Sequence, residues 1–262
     1  VDEQGLINLK ELKEAITAQT VLVSISYVNG EIGVTQDIKS IAKTIRHYRK
    51  HNQTLLPYFH SDAIQAVNYL DIHVPKLGVD LLTINASKIY GPKKIAALYK
   101  KTNITIDSII TGGNQEFGLR AGTENVPYII GFAECINIAE KLKASEYARL
   151  NELQKFMESL LASKMTIPFL VNGLNSERIP NIVNISISNL SSEEIVIRLA
   201  AKGVLASVKS ACKSGEDGDS HVIRALRDTN TQSIRFSMGR NTTRKDIEYT
   251  VKTLVLITQS IN

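Results

Sequence analysis

Apolar and polar positions follow one rhythm in the first half of this chain and another in the second. Residues 9–17 recur at helical spacing. Val21-Leu22-Val23-Ser24-Ile25-Ser26 then forms an apolar run of the kind found in buried parallel strands. Residues 36–50 give an amphipathic helical pattern, and residues 56–60, 81–85 and 95–99 give further strands. This βαβ rhythm predicts a doubly wound α/β domain with its site at the carboxyl ends of the strands. Residues 126–143 predict a long helix leading out of that domain.

Past residue 145 the pattern changes. A helix over 147–162 precedes the strand Phe169-Leu170-Val171. Ile182-Val183-Asn184-Ile185-Ser186-Ile187 then alternates like an antiparallel strand. Ser191-Ser192-Glu193-Glu194 reads as a capped helix start, residues 234–237 as a strand and 244–258 as a closing helix. The expectation is a larger α/β domain over 1–145 and a smaller α+β domain over 146–262, without repeats or low-complexity segments.

Composition narrows the classes. At 262 residues the chain exceeds one average domain and can bury a sizeable core. Its net charge of +5 comes from 31 basic and 26 acidic residues that are interleaved. The one basic cluster, Arg46-His47-Tyr48-Arg49-Lys50-His51, reads as the solvated end of a helix. No coherent basic face calls for nucleic acid. Two unpaired cysteines point to a reducing cytoplasm. No apolar run approaches the roughly 20 residues of a membrane span, and no signal peptide opens the chain. Five scattered histidines and two distant cysteines have no metal-site spacing, so no metal is expected.

Three positions carry candidate chemistry. Cys212 lies in the polar stretch Cys212-Lys213-Ser214-Gly215-Glu216-Asp217-Gly218-Asp219, where access and the nearby Lys209 and Lys213 favour a thiolate; the alternative is a surface cysteine without duty. Cys135 sits in an apolar run and reads as helix packing. Lys88 follows the strand at 81–85 and precedes Ile89-Tyr90-Gly91-Pro92. A lysine stripped of water there becomes a nucleophilic amine, whereas one pointing outward is a plain strand-end lysine. Asp62 ends the strand before it, as a helix N-cap with Gln65 at capping-box spacing or as a buried carboxylate. A lysine to hold pyridoxal phosphate (PLP) and an acid for its ring nitrogen are the pair that cofactor needs.

His60-Ser61-Asp62-Ala63-Ile64-Gln65-Ala66, Lys88-Ile89-Tyr90-Gly91-Pro92-Lys93, the run from Gly112 to Asn125, Ser210-Ala211-Cys212, Ser220-His221-Val222 and Ile234-Arg235-Phe236-Ser237-Met238-Gly239 occur in one order. Together they resemble the motifs of NifS/IscS-type cysteine desulfurases of the class V aminotransferase family. The resemblance spans the chain. It implies the large domain of a PLP-dependent transferase (aminotransferase fold type I) followed by the small α+β domain. Val1 to Asn8 align well inside that large domain, so its N-terminal part is expected to lie outside this sequence, with a cofactor-stacking histidine and a phosphate-binding threonine.

The resemblance also implies roles. Lys88 would hold PLP and shuttle the substrate's Cα proton. Asp62 would pair with the ring nitrogen, Gln65 with the ring's phenolic oxygen, and Asn85 and Ser87 would stand near the phosphate. Thr123 would reach the phosphate of a second subunit in a homodimer. Arg235 would clamp the carboxylate of L-cysteine, with Asn29 beside the substrate, and Cys212 would take the sulfur as a persulfide. That sulfur would pass to an acceptor or iron–sulfur scaffold protein, for cluster assembly or tRNA thiolation. Four positions depart from the family: Ser87 replaces a histidine, Asn85 a serine, Gly30 an asparagine and Lys94 a glycine. The other reading is a catalytically impaired, dimerising scaffold that binds sulfur-transfer partners.

Overall fold

The structure is a computed structural model that describes residues 1–209, 220–227 and 232–261. Its residues cluster into two units that are not consecutive in sequence. One comprises Lys13–Tyr27 and Asp37–Leu142; the other joins Val1–Leu12 and Val28–Gln36 to Lys143–Asn262. The division expected at residue 145 thus has a neighbour at Lys143, but two N-terminal stretches group with the C-terminal part.

The first unit is built on a four-stranded sheet in the order β1 (Leu22–Ser26), β2 (Tyr58–Asp62), β3 (Leu81–Asn85), β4 (Ala96–Lys100). The first three strands are parallel, and β4 runs antiparallel to β3, so the sheet is mixed. Helix α1 (Leu9–Ala15) precedes β1, and α2 (Ile38–His51) connects β1 to β2. Asp37 caps α2 by accepting from the Ser40 N–H at 3.0 Å, and Ile38, Ile41, Ala42 and Ile45 form its buried stripe. The short α3 (Val74–Leu77) ends at Gly78, whose φ of 75° is the left-handed conformation of a helix stop.

Three expectations for this unit fail. The run at β1 is not a doubly covered strand: β1 is an edge strand, with Leu22, Ser24 and Ser26 exposed. Ser24 and Ser26 fall on one face at period two, and that polar face is what the apolar content concealed. The helix expected to begin at Asp62 is a series of turns over 64–69. Nor is the basic end of α2 wholly solvated, since Arg49 bonds both Asp80 and the Pro57 carbonyl.

The second unit carries the antiparallel sheet β5 (Phe169–Val171), β6 (Ile182–Ile187), β7 (Ser233–Ser237). Around it lie α5 (Ser192–Ala200), capped by Ser191, α6 (His221–Leu226), capped by Ser220, and α7 (Arg244–Ile261). The helix α4 (Val126–Lys164) is one element of 39 residues where the sequence suggested two. Strand β6 is buried at all six positions, so its alternation does not mark a solvated face. Its polar residues are satisfied internally: the Asn172 amide donates to Asn184 Oδ1 at 2.6 Å and to the Ser186 hydroxyl at 2.9 Å. A small core of Ile32, Val34, Ile223 and Leu226 ties residues 28–36 to α6.

Candidate active site

In the mixed-sheet unit the candidate residues gather at the carboxyl ends of β2 and β3. Asp62 is the last residue of β2, half-buried, and its Oδ1 accepts the Ile64 N–H at 2.9 Å. That bond starts the turn carrying Gln65, also half-buried. His60 is two residues before Asp62 and so on the same face. Its Nδ1 lies 2.7 Å from the Ser24 hydroxyl and its Nε2 2.8 Å from the Thr83 hydroxyl, a polar chain across β1, β2 and β3. Burial lowers the pKa of His60, and the Asp62 charge opposes that shift.

The segment after β3 folds around one carbonyl. Ala86 O accepts the N–H of Ile89 at 3.0 Å and of Gly91 at 2.9 Å. Ala86 and Ile89 are buried with Val67 and Phe132, against which Cys135 packs. Cys135 is therefore a packing thiol, as its apolar run suggested. Lys88, between two buried anchors, is turned outward and exposed, and its carbonyl accepts the Asn68 amide at 2.8 Å. The desolvated lysine imagined from the sequence is not what the fold of this chain provides. Asn85 Oδ1 accepts both the Ser87 N–H at 2.7 Å and the Ser87 hydroxyl at 2.6 Å, which leaves the Asn85 amide and the Lys88 ammonium as the side-chain donors of this turn.

Lys94, the departure from a family glycine, has a φ of 67°. Glycine adopts that conformation freely and lysine does not. Thr123 is exposed in a stretch held by local bonds, among them Gly122 N–H to Gln115 Oε1 at 3.1 Å.

Asn29 and Arg235 belong to the antiparallel-sheet unit. Arg235 lies on β7 opposite Asn184 of β6, and its backbone pairs on the other side with Ser207. Its Nη1 donates to the Gly30 carbonyl at 2.8 Å, and its Nε is buried without a partner. Burial lowers the guanidinium pKa, and the charge of Glu31 pulls it back up. Asn29 is half-buried, with its side-chain oxygen engaged by backbone N–H groups. Cys212 lies outside the described residues.

Sequence reasoning missed Glu31, Ser24, Thr83 and Asp80. Ser24, His60 and Thr83 become a set only once strand register is known. Asp80 is 3% exposed and bonded to Arg49, Lys101 and the Phe59 N–H; its one signal was an acid at the start of a buried strand. Among the described residues no group of three metal-ligating side chains gathers, and no helix is long and apolar enough to cross a membrane.

A cysteine desulfurase IscS of Dictyoglomus turgidum is 38% identical over 264 residues, covering all of this chain and 65% of the relative. The mitochondrial cysteine desulfurase of Saccharomyces cerevisiae is 38% identical over 258 residues, covering 96% of this chain and 50% of that protein. The chain thus spans between half and two thirds of the length of these relatives. The X-ray structure of a NifS-like protein from Rickettsia africae superposes with a TM-score of 0.86 at 30% identity, over 99% of this chain and 68% of that one. The fold is accordingly that of the NifS-like, PLP-dependent aminotransferases. The family description aminotransferase class V matches residues 1–250, and the chain belongs to that family.

Proposed function

We propose that this chain forms part of a PLP-dependent cysteine desulfurase that converts L-cysteine to L-alanine and keeps the sulfur on Cys212. The observation that supports this most is a carboxylate and an amine at the carboxyl ends of two adjacent parallel strands in a class V aminotransferase, Asp62 as the last residue of β2 and Lys88 in the turn after β3. The donor set suits a phosphorylated pyridine aldehyde: an amine for the carbonyl, an acid for the ring nitrogen, and the side-chain amides of Gln65 and Asn85 for the phenolic oxygen and phosphate. PLP, when bound, supplies the electron sink that lets the substrate's Cα proton leave.

The chain's own groups do the rest. Lys88 holds the cofactor and carries the Cα proton. Asp62 keeps the ring nitrogen protonated, and Gln65 bonds the phenolic oxygen. Asn85 and Ser87 border the phosphate. Arg235 fixes the substrate carboxylate through its planar fork. The Cys212 thiolate attacks the substrate sulfur, the C–S bond breaks, the carbon takes a proton and alanine leaves; Cys212 retains the sulfur as a persulfide. That thiol needs a reducing compartment such as the cytoplasm. The sulfur then passes to an acceptor or iron–sulfur scaffold protein.

We also propose that the working unit is a homodimer. Exposed apolar side chains crowd residues 109–130, with Ile109 at 96% and Phe117 at 98% exposure, and Ile110, Val126 and Ile130 beside them in sequence. Glu116 and Phe117 both have positive φ, which persists only where surroundings determine it. Thr123, exposed in this same stretch, would then serve the partner's phosphate.

The test uses the full-length protein carrying this sequence, reconstituted with PLP. Wild type is expected to show the absorption band of covalently held PLP and to release alanine from L-cysteine; Lys88→Ala loses both. Identical PLP spectra in the two proteins would sink the assignment of Lys88. A second reading, a non-catalytic dimerising scaffold, draws on the exposed Lys88 and on Lys94 and Gly30. A dimer that binds an acceptor protein but releases no alanine would establish it.

A further inference from the structure

Residues 28–36 make a turn closed by the Val28–Thr35 bridge, by Asn29 N–H to Val34 O at 2.9 Å and by Gly33 N–H to Asn29 O at 2.9 Å. Inside it the Asn29 side-chain oxygen accepts two backbone donors, Glu31 N–H at 2.9 Å and Ile32 N–H at 3.1 Å. This is how asparagine mimics a backbone turn. The fixed peptide presents the Gly30 carbonyl to Arg235 Nη1 at 2.8 Å. Two further bonds clamp the turn. The Asn184 amide, cross-strand from Arg235, donates to Glu31 O at 3.1 Å, and the Ser220 hydroxyl donates to Glu31 Oε2 at 2.5 Å. Glu31 is only 3% exposed.

We infer that Asn29 is a positioning residue that works through Arg235: its side-chain oxygen builds the turn whose Gly30 carbonyl aims the guanidinium. The inference rests on the reading of Arg235 as the anchor for the substrate carboxylate. A guanidinium is planar and rigid, so pinning one N–H to a carbonyl orients the whole fork. Both lone-pair directions of the Asn29 oxygen are taken by backbone donors, which commits that atom to the turn. Gly30, where the family has an asparagine, brings no side chain to the substrate, so its contribution is the carbonyl alone.

The two possible roles of Asn29 respond oppositely to aspartate. An aspartate rebuilds the same turn, because its oxygen accepts the same N–H groups. As a direct substrate contact it would set a carboxylate against a carboxylate. In the full-length enzyme Asn29→Leu is expected to raise KM for L-cysteine about tenfold with kcat within about twofold, the signature of lost ground-state binding. Asn29→Asp is expected to return KM to within about threefold of wild type. An Asn29→Asp enzyme as impaired as Asn29→Leu, or worse, overturns the inference. Should Asn29→Leu not fold, Asn29→Asp alone decides between the two roles.

A measurement independent of turnover separates this inference from the proposed activity. The ¹⁵N signal of Arg235 Nε, assigned by its loss in Arg235→Lys, should move in Asn29→Leu and return in Asn29→Asp. If wild type turns over no cysteine, the desulfurase reading fails while this signal still reports on the turn. A signal unmoved in Asn29→Leu overturns the positioning role whatever the activity.

Discussion

Asp80 concentrates more charge than any other buried residue described in the mixed-sheet unit. Lys101 Nζ lies 2.6 Å from one oxygen, and Arg49 and the Phe59 N–H, the latter at 2.8 Å, share the other. Burial alone would push this carboxyl up, but the bonds from Arg49, Lys101 and Phe59 together hold it below its ordinary value of 3.8. The sign follows from linkage. A carboxyl depressed in the folded state stabilises above its unfolded value, and that stabilisation is lost as pH falls through the folded value. Circular dichroism is therefore expected to show a lower denaturation midpoint below about pH 4 than at pH 7. Asp80→Ala is expected to destabilise the protein at neutral pH by about 3 kcal/mol, because it strands two partly buried cations. Equal denaturation midpoints for wild type and variant at pH 7 would refute this account of Asp80.

At the scale of elements, burial decides what period cannot. Strands β1 and β6 both look half apolar in sequence, yet β1 is an exposed edge and β6 is covered on both faces. What separates them is the number of neighbours: β6 is the middle strand of its sheet, and Asn172 and Glu31 supply partners for its polar side. Helix α4 continues where the sequence suggested a break, because Ala144-Ser145-Glu146 contains neither proline nor glycine to stop it. The connection from β3 to β4 carries strain at Lys94, in the left-handed region at φ 67°. Relieving it with Lys94→Gly is expected to raise stability by about 1 kcal/mol, read as a higher urea midpoint at unchanged slope. A lower midpoint would mean that the lysine side chain contributes more than its backbone costs.

For the whole molecule the decisive feature is the apolar surface over 109–130. A charge placed in the middle of a proposed dimer interface must be desolvated without a partner. Phe117→Asp is therefore expected to convert a dimer to a monomer, measured by sedimentation equilibrium at micromolar concentration. With Thr123 in the same stretch, the monomer should also hold PLP less tightly. A Phe117→Asp protein that remains fully dimeric would move the interface elsewhere.

Local chemistry made much of this protein legible in its sequence. Strand and helix positions followed from periodicity, the start of α5 from Ser191, and the family from six ordered motifs that span the chain. These features depend on neighbours within a few residues, or on identity alone, and a sequence records both. Long-range pairing decided the rest. The bonds that join Arg235 to Gly30, Ser220 to Glu31 and Asn184 to Glu31 connect residues 205, 189 and 153 positions apart. No period or spacing encodes such contacts. They exist because residues 28–36 belong to the antiparallel-sheet unit rather than to the sheet that precedes and follows them in sequence, and there the Asn29 side-chain oxygen accepts two backbone donors of the turn.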